Sequence, residues 1–135
     1  MDSLTIEVKT SAHSQMIDVT DKINAALPPS LKNAVCLVFS THTTAGVTIN
    51  ENADPDVRSD IVSFLDKMVP WNYHAFRHAE GNSAAHIKAS LVGFSQTIPV
   101  ADGRLAIGIW QGVYLCEFDG PRTRRIKVSW TGSGA

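Results

Sequence analysis

The sequence predicts an α+β fold: a single domain with an antiparallel β-sheet or sandwich core and two or three helices covering part of it. Three observations carry that prediction. Apolar residues alternate, or run in short β-branched blocks, through most of the 135-residue chain. Tight-turn residues separate the blocks in the last third, at Ala101-Asp102-Gly103 and Asp119-Gly120-Pro121. One long amphipathic helix follows Asp54-Pro55.

Taken in order, Leu4, Ile6 and Val8 alternate with Thr5, Glu7 and Lys9, the pattern of a half-buried strand. A second short strand fits Met16 to Val19. Thr20 reads as the cap of a short helix carrying Ile23, Ala26 and Leu27 on one face, and Pro28-Pro29 stops it. Ala34 to Phe39 is a continuous apolar run, which marks a central strand, and another strand follows at Ala45 to Asn50. In the clearest helix Asp54 is the N-cap and Pro55 stands at the first helical position, where a missing N–H costs nothing. Val57, Ile61, Phe64, Leu65 and Met68 form its apolar face, with Asp56, Arg58, Asp60, Ser63 and Lys67 opposite, and Pro70 closes it. Trp71 to Asn82 reads as a polar and aromatic loop. Ala84 to Val92 fits either period; Asn82 or Ser83 as a cap and Gly93 after the end favour a helix. The remainder reads as strands at Gln96–Val100, Arg104–Ile109, Gly112–Phe118 and Arg124–Trp130.

Composition bounds the function. Twelve basic and thirteen acidic side chains give a net charge of −1, which argues against a general nucleic-acid or membrane-surface binder while leaving room for a local anion site. The chain has no apolar run of about 18 residues, the length a membrane span needs. Its first residues alternate and lack the apolar stretch of a secretory signal, so a cytoplasmic protein is expected. Two cysteines, Cys36 and Cys116, lie in apolar strand patterns and read as buried, inert thiols. The unusual feature is five histidines, three of them between positions 74 and 86.

Polar residues concentrate in three segments. Thr41-His42-Thr43-Thr44 follows the buried strand and leads to Asn50-Glu51-Asn52, Asp54 and Asp56. Asp54 is better read as a cap than as a ligand; Glu51 has no such structural role. The second segment is His78-Ala79-Glu80-Gly81-Asn82, followed by His86. Imidazoles ligate transition metals well, but a spacing of eight matches no zinc-finger or HExxH rule. His74 could join them in a helical stretch, and His13 reads as exposed and idle in a turn. The start of the Ala84–Val92 helix offers free N–H groups and a dipole that favour phosphate. In the third segment Gln111 stands between glycines, Trp110 reads as a packing residue, and Glu117, Arg122, Arg124 and Arg125 follow. The arginines suit bidentate phosphate binding, or else the charged protection of an edge strand.

Four stretches in order then carry a resemblance: THTTAGVTINENADPDV (Thr41 to Val57), FRH at 76–78, Asn82 through AHIKASLVG to Gly93, and GRLAIGIWQGVYLCEFDGPR (Gly103 to Arg122). Together they make the chain resemble the YjbQ-like, or secondary thiamine-phosphate synthase, family. The resemblance implies a compact α+β fold, a homotrimer, and an active site of histidines and acids holding a divalent metal, zinc or magnesium. Carried over, His42, His78 and His86 are the metal ligands. In the reaction this implies, Glu51, Glu80, Asn82 and Gln111 are catalytic, Gln111 and Glu117 being weaker candidates, and Arg122 or Arg124 meets phosphate. The implied reaction joins a pyrimidine methyl diphosphate to a thiazole phosphate and releases diphosphate, so the expected partner is a phosphorylated small molecule. Two other readings stand beside it: a non-catalytic metal- or metabolite-binding protein, and a structural trimer module with histidines at its interface.

Overall fold

A computed structural model describes residues 1–133. The element order is β1 (Asp2–Lys9), β2 (Gln15–Asp18), α1 (Thr20–Ala26), β3 (Asn33–Ser40), β4 (Ala45–Glu51), α2 (Pro55–Met68), α3 (Ser83–Val92), β5 (Ser95–Ala101), β6 (Arg104–Leu105), β7 (Gln111–Glu117) and β8 (Thr123–Ser133). The strands form a five-stranded sheet in the order β1-β8-β3-β5-β6 and a three-stranded sheet in the order β2-β7-β4. Every pairing is antiparallel. The predicted α+β class is therefore the observed one.

The periodicity of β7 explains how the layers stack. Val113 and Leu115 share a core with Val38, Ile98, Ile126 and Val128 of the larger sheet. Tyr114 and Cys116, the alternate residues, pack with Met16, Phe118 and Ala85 and Ala89 of α3, against which Ile61 and Leu65 of α2 lie. Side chains on a strand alternate between faces, so β7 is buried on both sides and reads as an unbroken apolar run. The result is a large sheet, a small sheet, and a layer made by α2 and α3. Ile23 of α1 and Leu27, its C-cap, plug into the inter-sheet core.

Several local expectations need correction. Thr20 is the first residue of α1 and Val19 holds the cap position without a side-chain bond. The Thr20 hydroxyl instead donates to Asp18 Oδ1 at 2.6 Å and accepts from the Val113 N–H at 2.8 Å, tying the helix to β7. The strand expected over Arg104–Ile109 ends at Leu105. Beyond it the chain turns at Gly108, whose N–H donates to Gln111 Oε1 at 2.7 Å, and crosses to the smaller sheet. β8 is not an edge strand, since it pairs with β1 on one side and β3 on the other. Trp110 does not pack in the core; it is 61% exposed. On α2, Ile61 and Leu65 face the protein, but Phe64 is 63% and Met68 52% exposed, so the apolar face is wider than the surface it covers.

Other local rules hold. The β5–β6 hairpin closes with Asp102 and Gly103, both at positive φ (52° and 78°), as a two-residue turn requires. Asp54 caps α2, its Oδ1 accepting the Asp56 N–H at 2.9 Å, with Pro55 next. Asp54→Ala is expected to lower stability by about 1 kcal/mol in urea unfolding; a loss of no more than a tenth or two would contradict the cap's role. Both cysteines are buried, and burial pushes their thiols up to about 11 for Cys36 and about 12 for Cys116.

Candidate functional site

Two of the expected histidines come together where the loop after α2 enters α3. A turn closed by the Gly81 N–H on the His78 carbonyl (3.1 Å), with Gly81 at φ 74°, bends the chain into the helix. His86, one turn inside α3, then comes beside His78, with ring centroids 5.6 Å apart and planes at 80°. Arg77, His78, Ser83 and His86 line a cleft of about 470 Å³, a size suited to a small molecule. Glu80 is mostly exposed, its Oε1 4.0 Å from His78 Nε2.

Asn82 occupies the N-cap position of α3 but does not cap it. Its Nδ2 donates instead to Asp119 Oδ2 at 2.9 Å, across 37 residues of chain. Its Oδ1 is buried without a hydrogen-bond partner among the described residues. The first N–H groups of α3 are therefore not taken by their usual side-chain acceptor, and they face the same end of the helix as Ser83.

Behind Asn82 a buried network continues. Asp119 Oδ2 also accepts from Arg122 at 3.2 Å, and the Asp119 N–H donates to Glu117 Oε2 at 3.0 Å. Glu117, fully buried, accepts from Thr10 Oγ1 at 2.8 Å and from Arg124 Nε at 2.9 Å, with the Arg124 Nη2 as a second, close partner. Arg124 completes its set on Thr44, donating to Oγ1 at 2.8 Å. Burial alone would raise the Glu117 pKa, but the hydrogen bonds from Arg124, the Asp119 N–H and Thr10, together with the Arg124 charge, hold it below the usual carboxylate value. Arg124 is thus spent inside the fold and presents nothing to a phosphate; Arg122 remains half-exposed at the surface.

His42 belongs to the far end of this network. Its Nε2 accepts the Arg125 N–H at 2.8 Å, so the ring is neutral with its proton on Nδ1. Burial lowers its pKa, as do the charges of Arg124, Arg122 and Arg125, against an opposing pull from Glu117. A folded-state value below the ordinary one means that the stabilisation is complete above the unfolded-state pKa and is lost as pH falls through the folded value. The His42 Cε1–H resonance is expected to titrate with a midpoint below 6.5; a midpoint at or above 6.5 would contradict the assigned hydrogen bond.

The fold brings some expected residues together and separates others. His78, His86 and Asn82 meet around the start of α3. The three expected ligands do not fit one ion within one chain: His42 Nε2 is occupied, and among the described residues no group of three His, Cys, Asp or Glu side chains stands close enough to hold a metal. Gln111 is exposed and its Oε1 serves the Gly108 turn, while Glu51 is tied into the fold through its backbone, its carbonyl accepting from Tyr114 Oη at 2.8 Å.

A model of the family described as "UPF0047 protein YjbQ-like" matches residues 4–133. The chain belongs to that family. The UPF0047 protein YugU of Bacillus subtilis is 48% identical over 129 residues, covering 95% of this chain and 98% of that protein. A UPF0047 protein of Methanocaldococcus jannaschii is also 48% identical, over 93% of this chain and 91% of its own. A crystal structure of a YjbQ/UPF0047 family protein from Clostridium acetobutylicum is 49% identical with a TM-score of 0.90, covering 95% of this chain and 99% of that one. A hypothetical protein from Aeropyrum pernix keeps the fold at 34% identity, with a TM-score of 0.92 over 98% of this chain and 100% of its own.

Three residues of this UPF0047 chain escaped the sequence reading. Arg77 lines the cleft, and the only signal for it was its place beside His78 in the FRH triplet. Asp119 holds Asn82, but in sequence it reads as a turn residue. His13, read as idle, stacks edge-on against Trp71 at 4.4 Å between centroids and lies 3.8 Å from Asp119 Oδ1, contacts that no local pattern announces.

Proposed function

We propose that this protein is an enzyme acting on a phosphorylated small molecule, with a reaction of the thiamine-phosphate synthase type. The observation that supports it best is the uncapped N-terminal turn of α3 at the edge of a cleft lined by Arg77, His78, Ser83 and His86. The Ser83 and Ala84 N–H groups, a guanidinium and two imidazoles are the donors that a diphosphate needs. In the reaction a thiazole nitrogen attacks the methylene carbon of the pyrimidine methyl diphosphate. The carbon–oxygen bond breaks and diphosphate leaves with the electron pair. Arg77, the imidazole N–H groups of His78 and His86 and the α3 amides receive the growing negative charge on the leaving group, which lowers the barrier. Ser83 orients a phosphate oxygen by hydrogen bonding.

Residues of the expected set take reduced roles in this reading. Asn82, held by Asp119, keeps the helix start open. Glu80, 4.0 Å from His78 Nε2, helps to orient that ring. A divalent ion would need donors from a neighbouring protomer added to the His78–His86 pair, and two imidazoles favour zinc over magnesium. A homotrimer is proposed on the same grounds, and the exposed Phe64, Met68, Ile109 and Trp110 are apolar surface that association would cover. Light scattering that finds only monomer would remove both the trimer and the shared ion. The cytoplasm is the proposed compartment, since two buried unpaired thiols suit reducing conditions.

The test is turnover. Purified protein, supplied with both substrates, is expected to release diphosphate at a rate that depends on His86 and Arg77. Binding of the substrates with no diphosphate release would replace the enzyme reading with that of a metabolite-binding protein.

A further inference from the structure

A second cleft lies on the opposite side of α3. Lys88 follows His86 by two residues, a turn of roughly 200° around the helix axis. His13, Asp66, Trp71, Asn72, Lys88 and Asp119 line a space of about 820 Å³ there. It shares no lining residue with the His78–His86 cleft.

Its polar groups are built in, not scattered. Lys88 is 2% exposed, which is rare for a lysine, and it sits under the rim with its ammonium bonded to Asp66 and 5.9 Å from the centre of the Phe118 ring. Of its three N–H donors, Asp66 takes one among the described residues. Asp119 uses its two carboxylate oxygens differently. Its Oδ2 takes Asn82 and Arg122, whereas its Oδ1 carries no hydrogen bond among the described residues and faces His13 at 3.8 Å. Trp71, held edge-on by His13, supplies an aromatic wall.

These groups discriminate between ligand classes. A phosphate would meet the carboxylates of both Asp66 and Asp119, and a simple cation would meet the Lys88 ammonium. A molecule carrying both charges and a flat apolar group satisfies all three features. We infer that this cleft binds a free aromatic α-amino acid, with its ammonium on Asp119 Oδ1, its carboxylate on Lys88 and its ring on Trp71.

The experiment titrates the full ¹⁵N-labelled chain with L-phenylalanine, and separately with phenethylamine and 3-phenylpropionate, which each lack one charge. L-Phenylalanine is expected to shift the Trp71 indole N–H and the His13 amide saturably. Each analogue should bind about tenfold or more weakly, as the loss of one charged hydrogen bond implies. Trp71→Leu should abolish the response. His13→Ala, at a half-exposed position, should weaken it several-fold in a chain whose spectrum stays folded. Inorganic diphosphate should not displace the amino acid, which separates this site from the proposed reaction. Absence of a saturable shift, equal binding by either analogue, or an unchanged response in His13→Ala would overturn the inference.

Discussion

Glu117→Ala is expected to destabilise the protein by about 3–5 kcal/mol, the largest loss foreseen for any single polar side chain here. The reason is the guanidinium left behind. Arg124 is 1% exposed and directs Nε and Nη2 at Glu117. Without that carboxylate a charge remains buried with only the Thr44 oxygens for partners, and the Thr10 hydroxyl and the Asp119 N–H lose their acceptor as well. Urea unfolding monitored by circular dichroism measures the loss. Replacing both partners with apolar residues, Glu117→Leu with Arg124→Met, should recover much of it, because no uncompensated charge is then enclosed. The pH dependence follows with a definite sign. The folded Glu117 pKa is depressed, so its stabilisation is complete above the ordinary carboxylate range and is lost as pH falls through the folded value. The acid limb of the stability curve should therefore be shallower in Glu117→Ala. A loss below about 1 kcal/mol would mean that the pair does not bear on stability as its burial implies.

His86→Ala is expected to lower diphosphate release by about 10²–10³-fold, the range seen when one charge-stabilising donor is removed from an active site. The same variant should unfold near the wild-type midpoint, since His86 is only partly buried and its ring meets that of His78 edge-on. Arg77→Ala should act mainly on KM if Arg77 holds the substrate phosphate in the ground state, and on kcat if it meets the leaving group alone. Wild-type rates in His86→Ala would remove this imidazole from the chemistry.

The sequence was most informative where the decisive interactions are local. Asp54-Pro55 announced α2 because a cap bond spans two residues, and Asp102-Gly103 announced a hairpin because its φ values belong to those residues themselves. β7 was legible as a strand but not as a doubly buried one, since that depends on α2 and α3 lying over one face. The reading of Arg124 as a solvent-facing arginine failed for a similar reason. β8 lies between the first strand and the third, and partners so distant in sequence leave no mark on its own pattern.

The site followed the same division. His78, Asn82 and His86 were readable as a cluster because a short turn and one helical turn join them. The reason the helix start is open was not readable, because Asn82 turns to Asp119 across 37 residues. Residue type and resemblance alone group His42 with the other two histidines. Its real partner is the Arg125 amide, 83 residues away.

The central claim is that the open start of α3 receives a diphosphate. It is tested most directly by titrating the ¹⁵N-labelled full chain with inorganic diphosphate at neutral pH. The predicted result is a saturable shift of the Ser83 and Ala84 amides, since the Ala85 N–H is taken by the Asn82 carbonyl at 3.0 Å, and of the His78 and His86 rings, weakened by Arg77→Ala. Shifts confined to other surfaces, or none at those amides, would contradict it.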